Sequence, residues 1–454
     1  MRLFKKALGA AAVLTVLATA PDAQTQVSIK EARFLAFKLV AAGKYDEAAA
    51  LSRTILQGDP DDQAALLALA QAEVGAGRIS AGVKAAKAAW RASDTAAERY
   101  SSSIVTAQAL AQNGKRLQAQ LWLRRAAQHA PNEGFKARAA RDFKYVRATN
   151  PVRANLRFSI SPSSNINNGS ANDRATLGGL SFLLDGEAQA LSGLEYRLGG
   201  DLSRIFLLSE RQNLTFGVGF DTSSYSLSSS AKALAPNASA SNYAFQELQF
   251  SVSSRLNDKD GPAYTQFRLE LGQNWYGGDA LARFAEAKVD RTITVGKRAQ
   301  LRFGGGVKRQ WRQDSAFRSS TTWNANAVYL MGLENGNSIS FNGAVSDVSS
   351  ASAAIAHQSA EIGVGYRLGK PVFGKSFLEL SLAAKLSEYD RRTILAPSPR
   401  RDTRLSANAT ITFNDLDYFG FSPTATLSAS RNRSNVALNE TQQLGLSFGL
   451  RSSF

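Results

Sequence analysis

The chain has 454 residues, 44% of them hydrophobic, and 54 Lys and Arg against 37 Asp and Glu give a formal charge of +17. After residue 20 no unbroken apolar run reaches the roughly 18 residues that a spanning helix needs, which excludes a helical membrane protein. It leaves open a barrel, whose alternating strands average to a bland hydropathy, and the absence of cysteine excludes disulfides, thiolate metal sites and a lipobox.

Residues 1–23 read as an export signal. Arg2, Lys5 and Lys6 form the charged start, and Ala7 to Ala18 the short apolar run. Ala18-Thr19-Ala20 has the small-x-small form, but Pro21 hinders cleavage there, so cleavage after Ala23 is the alternative. For an exported chain, strong basicity points to anionic lipopolysaccharide headgroups or an acidic cargo segment, and not to nucleic acid.

Residues 24–150 form the next expected domain, helical and rich in alanine. Glycine recurs in a fixed neighbourhood: Gly43-Lys44-Tyr45, Gly77-Arg78-Ile79 and Gly114-Lys115-Arg116. Gly43 and Gly77 lie 34 residues apart, the period of a tetratricopeptide helix pair. A small residue follows each glycine at the fifth position (Ala48, Gly82, Ala119), and Pro60 and Pro131 stand where a second helix should have ended. Glycine permits the turn, the small residue lets helices approach, and proline blocks continuation. Three degenerate repeats predict a small solenoid whose concave groove suits peptide. Trp90 and Trp122 are expected to pack between helices. Residues 132–150 continue as a basic helix to Asn150-Pro151, where proline disfavours helix and marks the domain boundary.

From residue 151 to 454 the pattern becomes period-two, as an antiparallel transmembrane β-barrel requires. Its first strand is expected over Ala154–Ile160. The segment 161–193 follows as a first extracellular loop, with folding into the lumen as the alternative. It carries Asn165-Ile166-Asn167-Asn168, then Asp185 and Glu187, which are the candidates for client contact or for a plug. Beyond it the alternation is clean. Leu214, Phe216, Val218 and Phe220 oppose Asn213, Thr215 and Asp221, and in the last strand Leu444, Leu446, Phe448, Leu450 and Phe454 share one face.

Short turns alternate with longer connections, which are expected near Ser223–Asn242, Gly277–Leu281, Gln313–Thr321, Val348–His357, Asp390–Arg401 and Asn432–Glu440. Counting between them gives about 14 strands, so both barrel ends face one side, the periplasm, together with the helical repeats. Trp275, Trp311 and Trp323 then fall at the outer headgroup level, where indoles favour the interface, and Tyr418, Phe419 and Phe421 at the inner girdle.

Chemistry is sparse. His129 and His357 are the two histidines, no spacing suits a metal, and no catalytic or cofactor site is expected. Gly304-Gly305-Gly306 lies within a strand and no helix follows it, so it reads as a kink and not a phosphate loop. Arg268, Arg302, Arg312 and Arg367 fall on the polar face and give the expected lumen a basic lean.

Helical repeats, Asn150-Pro151, the Asn165-Ile166-Asn167-Asn168 loop, the segment Phe182–Gly193 and a barrel ending in Phe454 together resemble the surface lipoprotein assembly modifiers. The resemblance covers essentially the whole mature chain. It implies an outer-membrane translocon that moves client proteins (surface lipoproteins or secreted haem-acquisition proteins) from the periplasm to the surface, without covalent chemistry. Such a barrel would itself depend on the outer-membrane insertion machinery. The alternatives are an exopolysaccharide export porin, which also joins repeats to a barrel, and a plain diffusion pore or nutrient receptor.

Overall fold

The computed structural model describes residues 28–177, 180–391 and 398–452. The expected export signal and the terminal Phe454 lie outside these. The chain divides into two compact units that part between Ala139 and Ala140.

The first unit is built from helix pairs: α1 (Ile29–Ala41) with α2 (Tyr45–Gly58), α3 (Gln63–Gly75) with α4 (Ile79–Arg91), and α5 (Ala96–Gln112) with α6 (Arg116–Gln128). A seventh helix, α7 (Glu133–Thr149), runs across the division. The glycine turns work as the spacing predicts. Gly43, Gly77 and Gly114 have φ of 75°, 78° and 72°, a left-handed conformation that other residues resist. At each, the next N–H reaches back to close the helix end: Lys44 to Leu39 O at 2.9 Å, Arg78 to Glu73 O at 2.8 Å and Lys115 to Leu110 O at 2.8 Å. The small residues allow close approach, since a Cβ on Gly82 would stand 2.5 Å from Val74 Cγ2. Ala48 and Ala119 are fully buried.

The starts of α1, α3 and α5 are capped by side chains, whereas α2, α4 and α6, which follow the glycine turns, have no side-chain cap. Ser28 with Glu31 and Thr95 with Glu98 form reciprocal capping boxes, and Asp62 accepts from the Ala65 N–H. The core is alanine-rich, with Leu66, Leu67, Ala70, Ala86, Ala89 and Val105 in one cluster. Within it Glu73, 2% exposed, is neutralised by the guanidinium groups of Arg53 and Arg78, and Arg78 also holds Asp46 at 2.8 Å. Trp90 and Trp122 meet edge to face at 5.6 Å, with Arg125 4.4 Å from the Trp122 ring centre.

The second unit is a barrel. Its strands are β1 (Val152–Ser163), then, after a two-stranded hairpin β2 (Arg174–Leu177) and β3 (Leu180–Leu183), β4 (Gly193–Leu207) and β5 (Gln212–Leu227). A short helix α8 (Ser229–Leu234) precedes β6 (Phe245–Asn257), β7 (Tyr264–Tyr276), β8 (Asp279–Val295) and β9 (Ala299–Arg312). Then come β10 (Ser320–Gly332), β11 (Ser338–Ser350), β12 (His357–Arg367) and β13 (Ser376–Tyr389). The last are β14 (Arg401–Phe413), β15 (Phe421–Ser434) and β16 (Thr441–Ser452). β1 and β4 to β16 close into one ring of fourteen strands, each antiparallel to its neighbours.

Register fixes which side chains face out. Phe341, Val364, Leu382, Ala407, Ala429 and Leu444 form one continuous row across six strands. Ile362 is 70% and Leu382 60% exposed, and other large apolar residues project outward around the wall. A soluble protein does not expose such a continuous apolar belt, whereas hydrocarbon is its natural solvent. Trp275, Trp311 and Trp323 lie near the rim that carries the loop 164–192, and Tyr418 and Phe421 lie at the opposite rim.

Two expectations need correction. The connection near Gly277–Leu281 is not a long loop: Gly277 and Gly278, with φ of 62° and 94°, join β7 to β8 in a two-residue turn. Consecutive left-handed glycines match the right-handed twist of a hairpin, and the register shift at Asn274/Trp275 takes up the remainder. The first strand is also longer than Ala154–Ile160, because it pairs with β4 from Val152 to Ser163.

Leu382→Arg, on the lipid face, should cost about 2–4 kcal/mol. The lumen-facing Ser406→Arg should cost much less, and urea unfolding of both variants in lipid vesicles checks the difference. In the helical unit, hydrogen bonds from Ser28 hold the Glu31 carboxyl below its ordinary 4.5, and those from Thr95 do the same for Glu98. A depressed carboxyl stabilises the fold fully above 4.5 and loses that contribution as pH falls through its folded value. Circular-dichroism melts should therefore show the helical transition dropping below pH 4.5, less steeply in Glu98→Gln.

Candidate functional site in the barrel lumen

Inward-facing residues pair cations with carboxylates. Arg157 on β1 holds Asp201 of β4 and, at 3.1 Å, Asp221 of β5. On β7 and β8, Lys288 bonds Glu286 at 2.8 Å and approaches Glu270 at 3.9 Å, while Arg268 stands 3.6 Å from Glu270. Glu379 of β13 takes both Arg367 of β12 at 3.5 Å and Arg451 of β16 at 2.9 Å.

The four arginines expected to give the lumen its basic character are thus spread out. Arg268 lies within the wall beside Glu270. Arg312 ends β9, bonded to Asp314 at 2.5 Å, and its hydrogen bonds hold that loop carboxyl down to about 2. Arg367 ends β12 at the other rim. Arg302 makes no ion pair among the described residues and sits in register with Thr292 and Val328. The alternation along the chain points to Asp221 as a polar-face residue but not to Arg157. It falls on the same alternation, so its partners could have been found by register.

The asparagine segment is a folding device for the loop between β1 and β4. Asn165, 4% exposed, donates to the Gly169 carbonyl and accepts from the Gly169 N–H, both at 2.9 Å. Asn167 donates to the carbonyls of Glu187 and Gln189 and accepts from the Leu191 N–H at 2.9 Å. Ile166 packs with Leu191, Ala231 and Ala235, joining this loop to the one after β5. Asn168 adopts φ of 54° and lines a lumenal cavity with His357, Lys385 and Tyr389. Asp185 caps the turn Gly186–Ala188 through the Glu187 N–H at 3.2 Å, and the Asp185 and Glu187 side chains are exposed. The loop then reaches the connection before β16: Ala171 donates to Glu440 O at 2.8 Å, and Asn172 to the Glu440 carboxylate at 2.9 Å. The loop is thus tied to the connections after β5 and before β16, with Asn168 beside lumen-facing residues of β12 and β13. Leu180, Phe182 and Leu183 of the small hairpin remain exposed.

The ring closes at an unequal seam. β1 pairs with β4 along all 12 of its residues, but with β16 only at Ser159, Ile160 and Ser163 among the described pairs. Pro162 has no N–H to offer there. Ser164 fastens the outer end, donating its N–H to Leu444 O at 3.1 Å and accepting from the Leu444 N–H at 2.9 Å. Lower down, Arg157 and Arg451 flank the seam, each held by carboxylates of its own side.

Repeats joined to a lipid-facing ring of fourteen strands define an outer-membrane transport barrel with a tetratricopeptide domain. A tetratricopeptide-repeat profile matches residues 39–103, and the surface lipoprotein assembly modifier profile matches residues 153–449. The chain belongs to the surface lipoprotein assembly modifier family.

Among solved structures, the outer membrane channel DcaP of Acinetobacter baumannii is 12% identical, with 66% of this chain and 97% of that one aligned at a TM-score of 0.38. A bacterial polysaccharide outer membrane secretin is 10% identical, covering 66% and 98% at 0.33. The Yersinia enterocolitica type III secretion translocator chaperone SycD is 16% identical, covering 29% and 91% at 0.25. Comparison with curated proteins returned no match.

Asn167→Ala removes three hydrogen bonds that tie the loop's two arms. At about 1 kcal/mol net for each bond, the loop should open at least ~10-fold more often. Amide exchange over 164–192 in the detergent-solubilised protein reads this directly.

Proposed function

We propose that this chain is a translocon that carries a client protein from the periplasm to the cell surface, with the helical unit on the periplasmic side. The observation that carries the reading is the family membership of the barrel, combined with a helical-repeat unit ahead of it. A diffusion pore has no use for peptide-binding repeats. The partly paired seam, fastened at its outer end by Ser164, fits a route that opens for a client and stays shut otherwise.

Clients would be surface lipoproteins or secreted haem-acquisition proteins. The client would meet the groove of the repeats first and then pass the barrel, with folding outside pulling the transfer forward. The exopolysaccharide alternative calls for an open, charged channel. The pairing of Arg157, Arg268, Arg367 and Arg451 with carboxylates weighs against it.

Co-expression with a candidate client and external protease tests this. Deleting residues 153–454 should abolish surface exposure of the client, and undiminished exposure would sink the translocon. The route is tested separately. The chain has no cysteine, so Ser159→Cys with Gly449→Cys, which are register partners, introduces a single bridge across the seam. Oxidation should cut client exposure at least ~10-fold and reduction restore it if the seam must part. Full transport by the bridged form would place the route in the lumen.

A further inference from the structure

One pocket in the lumen goes beyond transport. Beneath Asn168 lies a cavity of about 210 Å³, walled by His357 of β12, Lys385 and Tyr389 of β13, and Arg404 of β14. Lys385 and Arg404 stand directly opposite each other in the β13–β14 register. Like charges so placed destabilise a sheet. Their carboxylate neighbours relieve this only in part. Asp402 is bound by Arg400, with both carboxylate oxygens 3.0 Å from its Nε. Glu361 is Lys385's register partner on β12 but forms no ion pair with it among the described residues. Arg404 donates to Ser430 Oγ at 3.3 Å, a neutral partner. His357 stacks on Tyr389 at 4.9 Å, and its Nδ1 lies 2.7 Å from the Ile355 carbonyl, so Nδ1 carries the proton and donates.

We propose that this cavity is an oxyanion site, taking a phosphate or a carboxylate between Lys385 and Arg404 with Asn168 above it. Donors dominate its walls, and two cations that form no ion pair among the described residues stand side by side in it. Liquid water occupies about 30 Å³ per molecule, so the volume suits one oxyanion with a few waters and excludes a passing chain. An anion here cancels the cross-strand repulsion and gives the loop over 164–192 a further anchor. The same chemistry could come from free phosphate or from an acidic side chain of a polypeptide.

The test uses the full chain in detergent. Isothermal titration with inorganic phosphate, and separately with hexaglutamate, is run at matched ionic strength on wild type, Lys385→Gln with Arg404→Gln, and Arg404→Glu. Saturable binding by wild type, weakened at least ~10-fold in the double variant, is expected. Arg404→Glu faces Lys385 on one side and the neutral Asn432 on the other, so it supplies the missing negative charge from within and should melt higher than wild type without phosphate and lose the response to it. Heat-modifiable migration on gels verifies that each variant forms a barrel. Phosphate binding alone identifies a free anion, and hexaglutamate binding alone identifies a polypeptide carboxylate. No binding to either, or equal binding by wild type and the double variant, overturns the site. No client enters these assays, so their outcome is separate from that of the translocation tests.

Discussion

Every backbone N–H and C=O within hydrocarbon must find a partner inside the protein. A sheet meets that demand only if it has no free edge, and the fourteen-strand ring satisfies it everywhere except along part of one line. The outward apolar rows, the inward ion pairs and the rim aromatics all follow from that closure. Alternation sorts side chains to lipid or lumen, and antiparallel neighbours then bring inward charges of different strands together. Arg157 of β1 meets Asp201 of β4 for this reason, and Arg451 of β16 reaches Glu379 of β13, three strands away and 72 positions apart in sequence, because both face inward.

Much of this was legible in the residues because barrel physics is local. Period-two runs such as Leu214 to Phe220 identify a strand and its lipid face, and the glycine turns at 43, 77 and 114 identify helix pairs by a backbone requirement that propensity alone would miss. Gly277-Gly278 was misjudged since loop length was inferred from composition, whereas the twist of a hairpin decides how two adjacent glycines are used. The lumen was less legible. Arg268 and Arg367 read as free cations along the chain, and their neutralisation depends on cross-strand register, which no single strand encodes.

The asparagines stand out along the chain by their pattern, and two of them have their partners within the loop. Asn165 and Asn167 spend their amides on the loop's own backbone, so a stretch without helix or long strand acquires a fixed shape. Asn168, freed from that duty and held in a left-handed conformation, is the residue presented to the lumen. Lys385 and Arg404 were missed because they are 19 residues apart on a hairpin whose register becomes visible only in three dimensions.

The arginines flanking the seam give it an electrical character. Arg157 is drawn toward β4 and β5 and Arg451 toward β13, so separating β1 from β16 breaks neither set of bonds. On one side a single cation sits with two carboxylates (Arg157, Asp201, Asp221), and on the other two cations share one (Arg451, Arg367, Glu379), so the two groups carry opposite net charge and attract across the join. Dissolved ions weaken the attraction between exposed charges over about 10 Å at 0.1 M. Dilute medium therefore tightens this join and brine loosens it, which makes ionic strength a latch on the wall itself.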